Sequence, residues 1–280
     1  MMEGRLIIDG IDAWREWGVY VTAGGWNELL AYPPLKSYES NDWYEDDGIE
    51  ADLSAPQLAS HEAQLRVASH KGYAGLREII SMLSAGVYHI FNARSIDRVW
   101  RLRLVSVGAI DPASATATLR VADDFALTAY QYAEPGAELA AATDYLLDDT
   151  PFTAYGARVL RGSLAGLAKS PAVKSAMKCD VSTLPGINYD ADGIPRFKSY
   201  DARLYLLMRA PTLARLWRQY DALLYDLTRP GERMLGVEAL SSTLPCCYKS
   251  ASVTDFYPTG KIWLRFSITL TILRPPYGNS

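Results

Sequence analysis

Histidine and cysteine are scarce in this chain, three of each in 280 residues. His61, His70 and His89 are scattered, and none stands at a metal-ligand spacing such as H-x-x-x-H. Cys179 is isolated and Cys246-Cys247 are adjacent, a placement that on a strand points the two thiols to opposite faces. An odd count without recurring spacing predicts reduced thiols packed as small apolar residues in a reducing compartment. No metal and no organic cofactor is expected. The sequence also lacks a G-x-S-x-G elbow, so no serine nucleophile is indicated. RGSLAGLAKS (Arg161 to Ser170) lacks the Gly-Lys-Ser/Thr ending of a phosphate loop, and GYAGLRE carries no dinucleotide fingerprint. No residue is singled out as catalytic, cofactor-binding or metal-binding, and no enzyme activity is expected.

Long runs of one character are missing too. No apolar stretch reaches the roughly eighteen residues a membrane helix needs, so no membrane insertion is expected. The opening MMEGRLIIDG has an early acid and no apolar core of a signal peptide, which predicts residence in the cytoplasm unless a larger assembly carries the chain out. The 28 Lys and Arg residues are spread evenly against 32 Asp and Glu, a net charge of −4. A dedicated nucleic-acid binder shows a basic patch. This balance suits at most a mildly acidic wall past which DNA moves as cargo. Hydrophobic content of 49% and charged content of 21% are those of an ordinary folded protein.

What is present is one pattern twice. LIIDGIDAWREWGVYVTAGGWNELLA (Leu6 to Ala31) and YLLDDTPFTAYGARVLRGSLAGLAK (Tyr145 to Lys169) each begin with a short apolar strand and an Asp turn. Each continues through an aromatic, a glycine (Gly18, Gly156), a valine and a Leu-rich run. Long polar loops follow, ending in Asp47-Gly48-Ile49 and Asp192-Gly193-Ile194. Then come alternating strands (His61 to Ser69, Tyr200 to Ala210) and helical segments (Tyr73 to Leu83, Ala210 to Leu227). Closing strands run from Ala115 to Leu127 and from Lys261 to Leu273, with Leu119-Arg120 matched to Leu264-Arg265. The order and spacing predict two tandem domains, residues 1–130 and 145–280, joined by a linker at 131–144 around Pro135-Gly136.

Each half reads as β-rich with one packed helix, an α+β class. RVWRLRLVSV (Arg98 to Val107) alternates most cleanly, with Val99, Arg101, Arg103 and Val105 on one face and Trp100, Leu102, Leu104 and Ser106 on the other. Leu76, Ile79, Ile80 and Leu83 lie at helical spacing. Leu213, Leu216, Trp217, Tyr220, Leu223, Leu224 and Leu227 form a wider stripe, with Thr212 as N-cap and Pro230-Gly231 as the stop.

Two clusters have a chemical look. Asp42, Glu45, Asp46, Asp47, Glu50 and Asp52 crowd one loop, but Trp43 and Tyr44 stand where a calcium loop places oxygen ligands. A solvated acidic surface is the plain reading, and paired carboxylates of a hydrolase the alternative. Trp14, Trp17, Trp26 and Trp43 suit a core or a subunit interface, or alternatively a carbohydrate-binding or adhesin-like surface.

The opening from Ile8 to Thr22, with its Ile-Asp-Gly turn and Gly-Val-Tyr-Val-Thr strand, resembles the N-terminal strand-turn-strand of phage distal tail proteins. The later Asp-Gly-Ile turn and the strand-helix-strand remainder resemble the tail-tube fold. The likeness follows Leu6 to Leu127 in element order and, more loosely, Tyr145 to Leu273. A C-terminal galectin-like domain is lacking, and tandem tube-type domains also resemble baseplate hub and duplicated tail-tube proteins. The resemblance implies two tube-like β-barrel or sandwich domains and a structural role in a phage or phage-derived tail, at tail tip, baseplate or tube. It implies a homo-oligomeric ring, trimer or hexamer, around a channel, with other tail or baseplate proteins as partners. The protein would be assembled in the bacterial cytoplasm and reside in the virion tail. The loops Pro33 to Asp52 and Met177 to Pro195 would then contact the next ring.

Overall fold

The computed structural model describes residues 5–125, 144–175, 178–179, 182–183, 185–186, 188–189 and 195–276. The expected linker, apart from Asp144, lies outside the described residues, as do Leu127, Met177, Asp192-Gly193-Ile194, the Cys179 side chain and residues 277–280. The fold is α+β and β-rich.

Two seven-stranded antiparallel sheets dominate the described residues. In the first, β1 (Ile7–Ile8), β2 (Ile11–Asp12), β3 (Val19–Val21), β6 (His61–Ser69), β7 (His89–Ala93), β8 (Arg98–Asp111) and β9 (Thr116–Asp123) take the order β2-β1-β7-β8-β9-β6-β3. In the second, β10 (Tyr145–Leu147), β11 (Thr150–Pro151), β12 (Ala157–Val159), β15 (Tyr200–Ala210), β16 (Arg233–Val237), β17 (Ser242–Tyr257) and β18 (Ile262–Ile272) take the order β11-β10-β16-β17-β18-β15-β12. Replacing each strand by its counterpart converts one order into the other. Small hairpins, β4 (Ser40–Asn41) with β5 (Glu50–Ala51) and β13 (Lys178–Cys179) with β14 (Asn188–Tyr189), occupy matching places in the chain.

The correspondence reaches single bonds. Asp9-Gly10 and Asp148-Asp149 each close a two-residue hairpin with positive φ at both positions, as a type I′ turn requires. The Asp9 carboxylate accepts the Ile90 amide at 2.7 Å and meets the His89 ring at 2.6 Å. Asp148 accepts the Met234 amide at 2.8 Å and pairs with Arg233 at 2.7 Å. His61, opening β6, reaches the Glu28 carbonyl at 2.8 Å, while Tyr200, opening β15, donates to the Leu167 carbonyl at 2.7 Å. Gly18 (φ 69) and Gly156 (φ 67) each turn the chain from a short helical turn into an edge strand.

One correspondence differs from the sequence expectation. Leu119 pairs with Leu65, whose counterpart Leu204 pairs with Ile268. The equivalent of Leu119 is therefore Ile268, and Leu264-Arg265 sits nearer the start of its strand than Leu119-Arg120 does.

The helices pack as their stripes dictate. Tyr73–Ser84 buries Leu76, Ile79 and Leu83 against the first sheet. Leu213–Leu227 buries Leu216, Leu223 and Leu227, and its Thr212 hydroxyl accepts the Arg215 amide at 3.2 Å. On β8, Trp100 and Leu102 are buried while Val99 and Arg101 are exposed, as the alternation predicts. A single buried apolar cluster runs through both halves, from Leu6 and Ile8 to Ile268 and Ile272.

Candidate functional site

Aromatic and polar side chains converge most densely where the halves meet. The rings of Tyr32 and Tyr220 stack at 4.0 Å. Each phenol donates across the junction, Tyr32 to the Tyr220 carbonyl at 2.6 Å and Tyr220 to the Leu30 carbonyl at 2.9 Å. Tyr248 donates to the Pro33 carbonyl at 2.9 Å and the Trp217 indole to the Ile96 carbonyl at 2.7 Å. The carbonyls of Leu30, Pro33 and Ile96 thus find partners in the other half of the chain. Arg98 grips Asp221 through two bonds of 3.1 and 2.6 Å, and its guanidinium lies 4.3 Å over the Trp217 ring. Burial pushes the Asp221 carboxyl up in pKa, and Arg98 works against that.

The acidic loop is part of the same junction. Lys174 is buried, ion-paired with Asp42 at 2.5 Å and bonded to the Trp43 carbonyl at 2.6 Å. Asp47 accepts the Phe197 amide at 2.7 Å and lies 3.5 Å from Arg196. The Gly48 amide donates to the Phe197 carbonyl at 2.7 Å and the Ile49 amide to the Leu273 carbonyl at 3.0 Å. The Gly231 amide reaches the Leu53 carbonyl at 2.7 Å. Leu53, Cys247 and Leu273 form a small second core beneath it. Gly48 is held at φ 74, and a Cβ there would stand 1.7 Å from the Leu273 carbonyl oxygen. Only glycine permits this approach.

The loop from Pro33 to Asp52, expected to meet a neighbouring ring, is held in these places within its own chain, while Trp43 to Asp46 stay exposed. It lies along the second half of its own chain, drawn by the Lys174 and Arg196 charges and the backbone fit at Gly48. Of the remaining acids, Glu50 accepts the Trp43 indole at 3.1 Å, Asp52 accepts the Ser54 amide at 3.0 Å, and Glu45 and Asp46 are exposed. Glu50 and Asp52 line one surface hollow together with Glu39, and the other acids are spread along the docking loop.

The four tryptophans do not gather into one surface. Trp17 and Trp26 are buried, Trp26 stacking on Trp100. Trp14 packs against Tyr20 and His70, and Trp43 is half exposed on the acidic loop. His61 and His89 are held by the carbonyl and carboxylate contacts described above, and burial lowers the pKa of His61. Cys246 lies in the main core and Cys247 in the second one, on opposite faces of β17; burial raises the pKa of both. Among the described residues no group of three or more His, Cys, Asp or Glu is placed to hold a metal ion, and no helix is long and apolar enough to cross a membrane.

Sequence reasoning missed Tyr32, Arg98 and Asp221. One signal was available: the Leu213–Leu227 stripe is wider than one sheet can cover, and Trp217, Tyr220 and Leu224 are the surplus.

No protein-family description and no curated protein matches this chain. Among solved structures, the chain is similar to the Dit protein (gp 19.1) of phage SPP1, described as a paradigm of the hub adsorption apparatus in phages infecting Gram-positive hosts. Identity is 15% and the TM-score 0.33, over 47% of this chain and 50% of that one, so this chain covers half the length of that structure.

Proposed function

We propose that this chain is a structural subunit of a phage or phage-derived tail, at tail tip, baseplate or tube. Two tandem copies of one fold then occupy two quasi-equivalent positions in a ring around a channel. The observation that carries this reading is the asymmetry of the junction between two halves of identical strand order. The first half contributes Asn27 to Leu53 with Ile96 and Arg98, and the second contributes its long helix with β17 and β18. These are not equivalent surfaces, so the contact is head-to-tail, and a head-to-tail contact repeated closes into a ring or runs on as a filament. The sequence resemblance to distal tail and tube proteins names the setting. Other tail or baseplate proteins are the partners, the virion tail is the location, and DNA passes as cargo along a chain of net charge −4.

Native mass spectrometry together with negative-stain imaging tests this. Closed rings of three chains, with six similar lobes, are expected; a hexamer would mean that only one half builds the ring. A strictly monomeric chain at high concentration, also in the presence of its tail partners, would sink the reading.

A further inference from the structure

The long strand of each half outruns its neighbour. β7 pairs only with Arg98–Leu102 of β8, and β16 only with Ser242–Cys246 of β17. The flank of β17 beyond Cys246 is covered by the first half: the Leu35 amide donates to the Lys249 carbonyl at 2.9 Å, and the Asn27 side chain to the Thr254 carbonyl at 2.7 Å. Lys249 can accept because it is a bulge residue, skipped by the β17–β18 ladder between Tyr248 and Ser250. The flank of β8 beyond Leu102 has no strand partner among the described residues. Val105 holds the equivalent bulge, skipped by the β8–β9 ladder between Leu104 and Ser106.

The matching donor is also present. Leu35 lies in an isolated bridge with Leu58, flanked by bonds from Lys36 to Gln57 and from Ala59 to Pro34. Val173 lies in the same bridge with Phe197, flanked by bonds from Lys174 to Arg196 and from Lys198 to Ala172. In each bridge the central amide faces away from its bridge partner. The Leu35 amide is spent on Lys249; the Val173 amide takes no backbone acceptor among the described residues. Both open surfaces carry exposed apolar side chains, Val105 and Ile110 on one and Leu164 and Val173 on the other, with Val173 54% exposed.

We propose that the flank of β8 is the docking surface for a second copy of this chain, with the Val105 carbonyl accepting the Val173 amide of that copy. The contact repeats between chains the Leu35–Lys249 contact that joins the halves within one chain. It rests on the head-to-tail reading above and specifies the surfaces that reading leaves open. It is also more polar than its internal counterpart. The positions matching Trp217 and Leu224 on the Tyr73–Ser84 helix are Arg77 and Ser84, both exposed. Edge strands left open invite such pairing.

The test is a V105C/V173C double variant of the full chain under mild oxidation. The expected result is a ladder of disulfide-linked multiples of the chain on a non-reducing gel, absent from either single variant. Cross-links confined within one chain, or formed by one single variant alone, would overturn the pairing. A charge exchange gives an independent reading: V105K and V173D should each reduce assembly in native mass spectra at least tenfold, and their combination should restore it. Rings that survive both single charges unchanged would overturn this contact while leaving the ring intact. Monomers in every condition, with wild type included, would remove the contact and the ring together.

Discussion

Gly48 is the residue on which the junction turns most sharply. Alanine there meets the Leu273 carbonyl and a strained φ, and puts at risk the bonds from Gly48 to Phe197 and from Ile49 to Leu273. A loss on the order of 3 kcal/mol is expected for Gly48→Ala from the strain and the two bonds. Gly10, also at positive φ but with open space at its Cβ position, serves as the control, and Gly10→Ala should cost only about 1 kcal/mol. Equal losses in denaturant titrations would show that the loop is not held as described. Asp124 offers a second residue-scale check. Arg103 at 2.9 Å, Ser60 at 2.6 Å and Tyr88 at 3.1 Å hold its pKa at about 2. A depressed carboxyl pKa stabilises the fold above the ordinary value of 3.8, and that contribution fades as pH falls toward about 2. The stability gap between wild type and Asp124→Asn should therefore narrow across that window; a gap independent of pH would contradict the pairing.

At the scale of elements, periodicity carried far but not everywhere. The Tyr73–Ser84 and Leu213–Leu227 helices and the alternation of β8 were legible because one face of each must be buried. The register of the closing strands was not. Matching Leu119 to Leu264 in place of Ile268 is an even-numbered slip, and an even slip keeps every side chain on its proper face. The alternation is blind to it, and only the hydrogen-bonded partners decide. β1, β2, β10 and β11 are too short for any periodicity and are set by the turn residues Asp9-Gly10 and Asp148-Asp149. The junction was half legible: the wide Leu213–Leu227 stripe marks Tyr220 as surplus, but nothing local marks Tyr32, far away in the chain, as its partner. The closing strand supplies an element-scale test: Ile268 and Leu270 are fully buried, so Ile268→Asp with Leu270→Lys places charges in an apolar core. Loss of the folded state is expected by circular dichroism, whereas Arg265→Gln, at an exposed position of the same strand, should be tolerated.

At the scale of the whole molecule, the shared core and the Arg98–Asp221 pair tie the halves into one unit. A single cooperative unfolding transition is expected, coincident for probes in either half. Two separated transitions would contradict the shared core. Arg98→Ala should cost about 3–5 kcal/mol, because it leaves the Asp221 carboxylate buried without its partner. Arg98→Met combined with Asp221→Leu should cost much less, since no charge remains to be stranded.

The loop that carries Gly48 also sets an order in time. Its docking surface includes Phe197, Gly231 and Leu273, which leave the ribosome long after the loop itself. The first half can form its own sheet early, yet its loop must wait for the final strand before it has anything to rest on. Contacts so distant in sequence are slow to close. The fastening of Gly48 against Leu273 is then among the last events of folding, and a stalled or shortened chain would leave that loop loose.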